Sequence, residues 1–156
     1  MKGAILEKQE MYYTYMDVIF ESMDIMGGDF NWLITDYECN RYIDPIIFDN
    51  TNNYVWISGD KLYKFLRENK IQFIWGSFTA FEKNIDINEI LKYDLPPSAN
   101  GFFGNDRIEM RHPLSVVEIV AADSSYVYVV SKDNYYIQKF LDWFPLAENL
   151  DTFFER

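Results

Sequence analysis

The run Val116-Val117-Glu118-Ile119-Val120-Ala121, the turn Ala122-Asp123-Ser124-Ser125 and the run Tyr126-Val127-Tyr128-Val129-Val130 decide the fold class. Two β-branched and aromatic stretches around a short polar turn are the signature of an antiparallel hairpin. Directly after it, Ser131-Lys132-Asp133 offers helix caps. Asn134 to Phe144 then carries Tyr136, Ile137, Phe140, Leu141 and Phe144 at helical spacing until Pro145 stops it. A hairpin that feeds a capped amphipathic helix predicts a sheet with helices packed on it.

Working outward, Ile71 to Phe81 is long and strongly apolar, as a central strand covered on both faces requires. Ahead of it, Ser58 caps a helix through about Asn69, with Asp60 in the first turn and Arg67 and Lys70 toward the end, in agreement with the helix dipole. Phe30 to Tyr37, Tyr42 to Phe48 and Tyr54 to Ile57 read as three short strands, the last two parted by Asp49-Asn50-Thr51-Asn52-Asn53. At the N-terminal side, Met1 to Leu6 reads as a strand and Gln9 to Met26 as an amphipathic helix. Its apolar stripe is Tyr12, Met16, Ile19, Phe20, Met23 and Met26, and Gly27-Gly28 ends it by supplying positive φ. Asn84 to Tyr93 is a short helix or an extended segment, Asp94 to Asp106 a long loop, and Leu146 to Phe154 a last helical turn docked through Leu150, Phe153 and Phe154. The expectation is one α+β domain over residues 1–156, a mixed, mostly antiparallel sheet with two or three helices packed on one face.

Composition narrows the function classes. The chain has 156 residues, 49% hydrophobic and 19% aromatic, enough apolar area to offset the entropy of ordering. A lone Cys39 rules out a disulfide within the chain and suits a reducing compartment. After Lys2 only Gly3, Ala4, Ile5 and Leu6 precede Glu7, and no run reaches the roughly 18 apolar residues of a membrane span. These features predict a cytoplasmic protein without a membrane partner.

The net charge is −11, which argues against nucleic acid and anionic lipid, since both reward clustered Lys and Arg. Residues 9–60 hold ten acids and a single base, Arg41, whereas the rest of the chain holds 15 acids and 13 bases. A one-sided negative field steers a basic partner toward one surface. On the first helix Glu10, Asp17, Glu21 and Asp24 fall on the face opposite the apolar stripe, where like charges four apart cost about 0.2–0.5 kcal/mol and no Lys of that helix relieves them. Asp36 and Glu38 flank Tyr37, which lies inside the stretch together with Tyr12, Tyr13, Tyr15, Tyr42 and Tyr54. Tyr interleaved with carboxylates makes a rigid binding surface for a basic protein. Phe102 and Phe103, between Gly101 and Gly104, either tuck into the core as a lid or form an exposed aromatic anchor. The basic stripe Lys61, Lys64, Arg67 and Lys70 is expected only to solvate its helix.

Catalytic signals are thin. His112 is the single histidine, so two-histidine metal motifs are impossible, and Arg111-His112-Pro113-Leu114 reads as a structural turn. Cys39 sits among Asp36, Glu38 and Arg41, where the acids suppress the thiolate. There is no calcium loop, no phosphate-cradling glycine motif and no nucleophile elbow, so no catalytic residue, metal or cofactor is assigned. The leading expectation is a non-enzymatic module that binds a basic protein through Asp17, Glu21, Asp24, Asp36, Glu38, Tyr37, Phe102 and Phe103. The alternatives are a small carboxylate- or His112-dependent enzyme and a self-associating structural subunit.

Tyr54-Val55-Trp56-Ile57-Ser58-Gly59, the run Ile71 to Phe81, the hairpin at Ala122 to Val127, Ser131-Lys132-Asp133, Met1-Lys2-Gly3 and the Trp32/Ile34 pair together resemble an uncharacterised bacterial domain-of-unknown-function family. The resemblance reaches about residue 145. It implies a cytoplasmic protein of spore-forming Gram-positive bacteria and brings no catalytic residues with it. In size, acidity and aromatic content the chain is also similar in character to the immunity proteins that neutralise basic toxin domains.

Overall fold

A computed structural model describes residues 2–7, 14–45, 48–96 and 108–155. In chain order the elements are β1 (Lys2–Leu6), α1 (Met16–Ser22), β2 (Phe30–Cys39), β3 (Val55–Ser58), α2 (Gly59–Asn69), β4 (Phe73–Glu82), α3 (Ile87–Ile90), β5 (Val117–Ala122), β6 (Tyr126–Ser131), α4 (Asn134–Trp143), β7 (Glu148–Asn149) and α5 (Leu150–Phe154). The strands form one sheet in the order β3-β2-β4-β5-β6-β1-β7, and every neighbouring pair is antiparallel. This is an α+β domain, as the hairpin and its following helix predict.

Strand alternation explains both layers. On one face Trp32 and Ile34 of β2, Phe78 and Ala80 of β4, Val117 and Ile119 of β5, and Val127 and Val129 of β6 meet Met16, Ile19 and Phe20 of α1, Leu62 and Leu66 of α2, and Ile137 and Phe140 of α4. On the other face Ile5, Val120, Tyr128 and Val130 pack with Leu150 of α5, while Leu33 and Phe81 pack with Ile90 of α3. Both faces are therefore covered, which is why β5 and β6 read as near-continuous apolar runs. Three helices on one face match the expected number; the two short helices on the opposite face are additional.

Several expected elements are corrected. The first helix stops at Ser22, whose hydroxyl bonds back to the Ile19 carbonyl at 2.6 Å. The left-handed residue beyond it is Asp24, with φ 60°, and neither Gly27 nor Gly28 has positive φ. A short polar side chain tolerates that conformation nearly as well as glycine. Residues 42–45 form no strand: Pro45 has no N–H for a ladder, and Tyr42 lies 86% exposed. Glu148 and Asn149, expected in a helical turn, instead pair with Ile5 and Ala4 before Asn149 caps α5.

The α2 start explains a glycine. A Cβ on Gly59 would lie 2.7 Å from the Gly27 carbonyl oxygen and 2.8 Å from that of Phe30, so only glycine lets the helix begin against this backbone. At the hairpin tip Asp123 and Ser124 carry φ of 51° and 57°, the left-handed pair that matches strand twist.

Candidate binding surface

The acids of α1 do not share one solvated face. Asp17 is 1% exposed, and its Oδ2 forms an ion pair with Nζ of Lys70, the left-handed residue that closes α2. Its Oδ1 and the Thr14 hydroxyl are buried without a hydrogen-bond partner among the described residues. The Asp17 carboxylate gains a hydrogen bond from Lys70 and raises the pKa of that lysine. Glu21 accepts from the Tyr63 hydroxyl at 2.5 Å, and burial followed by the Glu21 carboxylate pushes that phenol up to about 12. Asp17 and Glu21 thus tie α1 to α2, and Lys70, expected only to solvate its helix, is the counter-ion that the sequence of α1 lacks.

Asp24 remains exposed and accepts from the Tyr135 hydroxyl of α4 at 2.7 Å. Packing of α1 against α4 gathers a corner that the linear acidic stretch does not contain. Asp133, whose carboxylate caps α4 by accepting from the Tyr135 N–H at 2.9 Å, belongs to it. So do Tyr135 and Tyr136, with ring centroids 5.4 Å apart at 80°. The field of Asp24 and Asp133 helps to raise the Tyr135 pKa, after the Asp24 hydrogen bond, which contributes most; burial raises Tyr136, helped by Asp133, Asp29 and Asp24. Asp24 and Asp133, from two distant segments, therefore meet at Tyr135 on the surface, and Asp29 precedes Phe30, whose ring packs on Tyr136.

Asp36 and Glu38 are also exposed, but they lie at the other end of β2. Seven residue steps along the strand separate Asp29 from Asp36, about 23 Å at the usual rise. A register shift around Asp36, whose φ is 48°, turns Tyr37 onto the helix-covered face. There Tyr37 sits half-buried, edge-on to Phe48 at 5.5 Å and to Phe73 at 6.4 Å. The acidic stretch is therefore split between two ends of the sheet. Phe102 and Phe103 lie outside the described residues.

The buried polar cluster on the second face is built around Glu118 of β5. Its Oε2 accepts from the Arg111 N–H at 2.7 Å, the His112 N–H at 3.3 Å and the Ser115 hydroxyl at 3.0 Å. Burial raises the Glu118 pKa, and those donors offset part of the rise. Arg111 reaches the Tyr128 hydroxyl, whose pKa burial also raises. His112 is wholly buried, edge-on to Phe81 at 4.9 Å and Tyr93 at 5.1 Å. Nδ1 accepts from the Leu114 N–H at 3.2 Å, so Nε2 carries the proton and donates to the Ile90 carbonyl at 3.0 Å. Both ring nitrogens are spent on backbone, and the carboxylate beside them binds the loop's amides, not the imidazole. The Cys39 thiol donates to the Arg41 carbonyl at 3.0 Å.

Among the described residues no three His, Cys, Asp or Glu side chains are grouped to hold a metal ion, and no helix is long and apolar enough to cross a membrane. Comparison with protein-family models, with curated proteins and with solved structures gives no match. The sequence reading missed Asp133, Tyr135 and Tyr136 as surface partners of the acidic stretch. Asp133 was visible as a helix cap and Tyr136 as part of an apolar stripe, but nothing in the linear order brings either beside Asp24.

Proposed function

We propose that this chain is a non-enzymatic protein-binding module that engages a basic protein, in the manner of an immunity or inhibitor protein, through the corner formed by Asp24, Asp29, Asp133, Tyr135 and Tyr136. The observation that carries the reading is convergence. Acids from the turn after α1 and from the cap of α4 lie around two tyrosines, one of them 47% exposed. Such a surface combines long-range attraction with rigid amphipathic contact area. The alternative of a His112-dependent enzyme loses its proton carrier to the backbone bonds at both ring nitrogens. The proposal includes a cytoplasmic setting and membership of the small acidic bacterial family that the sequence resembles.

The test is an affinity pull-down from lysate of the native host at low and high salt. It compares the unaltered chain, a corner variant (Asp24→Asn, Asp29→Asn, Asp133→Asn) and a far-end variant (Asp36→Asn, Glu38→Gln). Asn keeps both the cap at Asp133 and the left-handed backbone at Asp24. A single basic protein captured at low salt, weakened at high salt, and lost from the corner variant more than from the far-end variant is the expected result. Capture of no basic protein, or equal capture by all three chains, would overturn the proposal.

A further inference from the structure

We infer that the corner is a receptor for a cationic side chain, an arginine or lysine of the partner, and that Lys139 of this chain occupies the receptor when the partner is absent. The inference rests on the binding reading above and identifies what that surface recognises. Lys139 lies one helical turn after Tyr135, and its Nζ stands 5.5 Å from the centroid of the Tyr135 ring. It forms no ion pair among the described residues, and the same Tyr135 is bound by Asp24 at its hydroxyl and by Asp133 at its backbone N–H. A cation is thus already held on the aromatic face.

The receptor is fixed in place before any partner arrives. The Tyr135 hydroxyl is held by Asp24 at 2.7 Å, which sets the ring's orientation. Tyr136 stands edge-on behind it and is backed by Phe30, 5.9 Å away at 68°. The Asp24 bond also draws electron density toward the phenol ring, and the carboxylates raise the local negative potential, both of which favour a cation over the face. A guanidinium suits the site better than an ammonium because it is planar, weakly hydrated and able to stack on the ring while its edge donates to carboxylates. A partner residue must therefore displace Lys139, a built-in competitor that lowers apparent affinity.

This makes a specific and unusual prediction for acetyl-arginine N-methylamide, titrated while the ring signals of Tyr135 and Tyr136 are followed by NMR. Lys139→Met should tighten binding roughly two- to fivefold, the worth of one exposed cation–π contact. Lys64→Met removes the same charge from the exposed side of α2 and should change affinity by less than about 1.5-fold, because solvent and salt screen distant charges. Tyr135→Leu should abolish the response. Equal tightening by both lysine variants, or shifts that avoid the two tyrosines, would overturn the receptor. The same variants separate this inference from the functional reading. A basic protein captured equally well by the Lys139→Met, Tyr135→Leu and unaltered chains refutes the receptor and leaves the binding function standing. Absence of any basic protein from the pull-down, with the amide still titrating Tyr135, refutes the function and leaves the receptor chemistry intact.

Discussion

Replacing Lys70 by Met should destabilise the fold far more than an exposed lysine ordinarily would. Asp17 is 1% exposed, one of its oxygens already lacks a partner, and Lys70 is its sole ion-pair partner among the described residues. Stripping the partner from a fully buried pair costs about 3–5 kcal/mol, whereas an exposed pair is worth about 0.2–1 kcal/mol. The lysine side chain is 61% exposed, so its end of the pair is screened and the cost falls between those limits, at about 2 kcal/mol. Met keeps the aliphatic stem and is not β-branched, so the left-handed backbone, φ 48°, adds no new strain beyond what Lys already bears. Urea unfolding should show a midpoint lower by about 1 M at an ordinary slope for a small domain. Adding Asp17→Asn to Lys70→Met should recover part of the loss, because it removes the stranded charge. The pH dependence has a definite sign. Lys70 binds its proton more tightly when folded, so the pair's stabilisation is present below the ordinary lysine value of 10.5 and is lost as pH rises through the raised one. A Lys70→Met cost under about 0.5 kcal/mol, or no recovery in the double variant, would refute the anchor role of Asp17.

Gly59→Ala should destabilise by about 1–3 kcal/mol despite the better helix propensity of Ala, because its methyl meets two backbone carbonyls; thermal unfolding at or above the parent's midpoint would contradict this. Glu118→Gln removes a carboxyl whose folded pKa lies above 4.5. The stability of the unaltered chain relative to this variant should therefore fall as pH rises through that raised value, and a pH-independent difference in unfolding free energy would contradict the burial argument. The corner variant Asp24→Asn, Asp29→Asn, Asp133→Asn should retain the parent's unfolding free energy to within about 0.5 kcal/mol by urea titration, since these side chains are exposed and Asn serves equally as a cap.

Local chemistry carried much of the fold. The hairpin tip, the central strand, helix α2 and helix α4 with its Asp133 cap were legible because period, turn residues and breakers agree over those stretches, although Ser58, which holds the N-cap position of α2, makes no side-chain capping bond. The run at residues 42–48 was misleading: its aromatic and β-branched residues suit a strand, but over the described residues 42–45 Pro45 and exposed Asp44 leave no ladder. The end of α1 was misplaced because Asp24 takes the left-handed position that Gly27-Gly28 seemed to reserve. The candidate surface was only half legible. Asp24 is where a charge count leads, but helical periodicity alone put Asp17 in solvent, whereas the α1–α2 packing supplies a lysine 53 residues away and draws it inside. Tyr135 joins Asp24 across 111 residues of chain, a contact that follows from sheet order and helix docking and from no local pattern.

The most direct measurement is the association rate of the captured basic protein across a series of salt concentrations, for the unaltered chain and for the corner variant. The account predicts fast, steeply salt-dependent association by the unaltered chain, and a slower rate with a shallower slope for the corner variant. Superimposable rates and slopes for the two chains would place recognition elsewhere on the molecule and contradict the central claim.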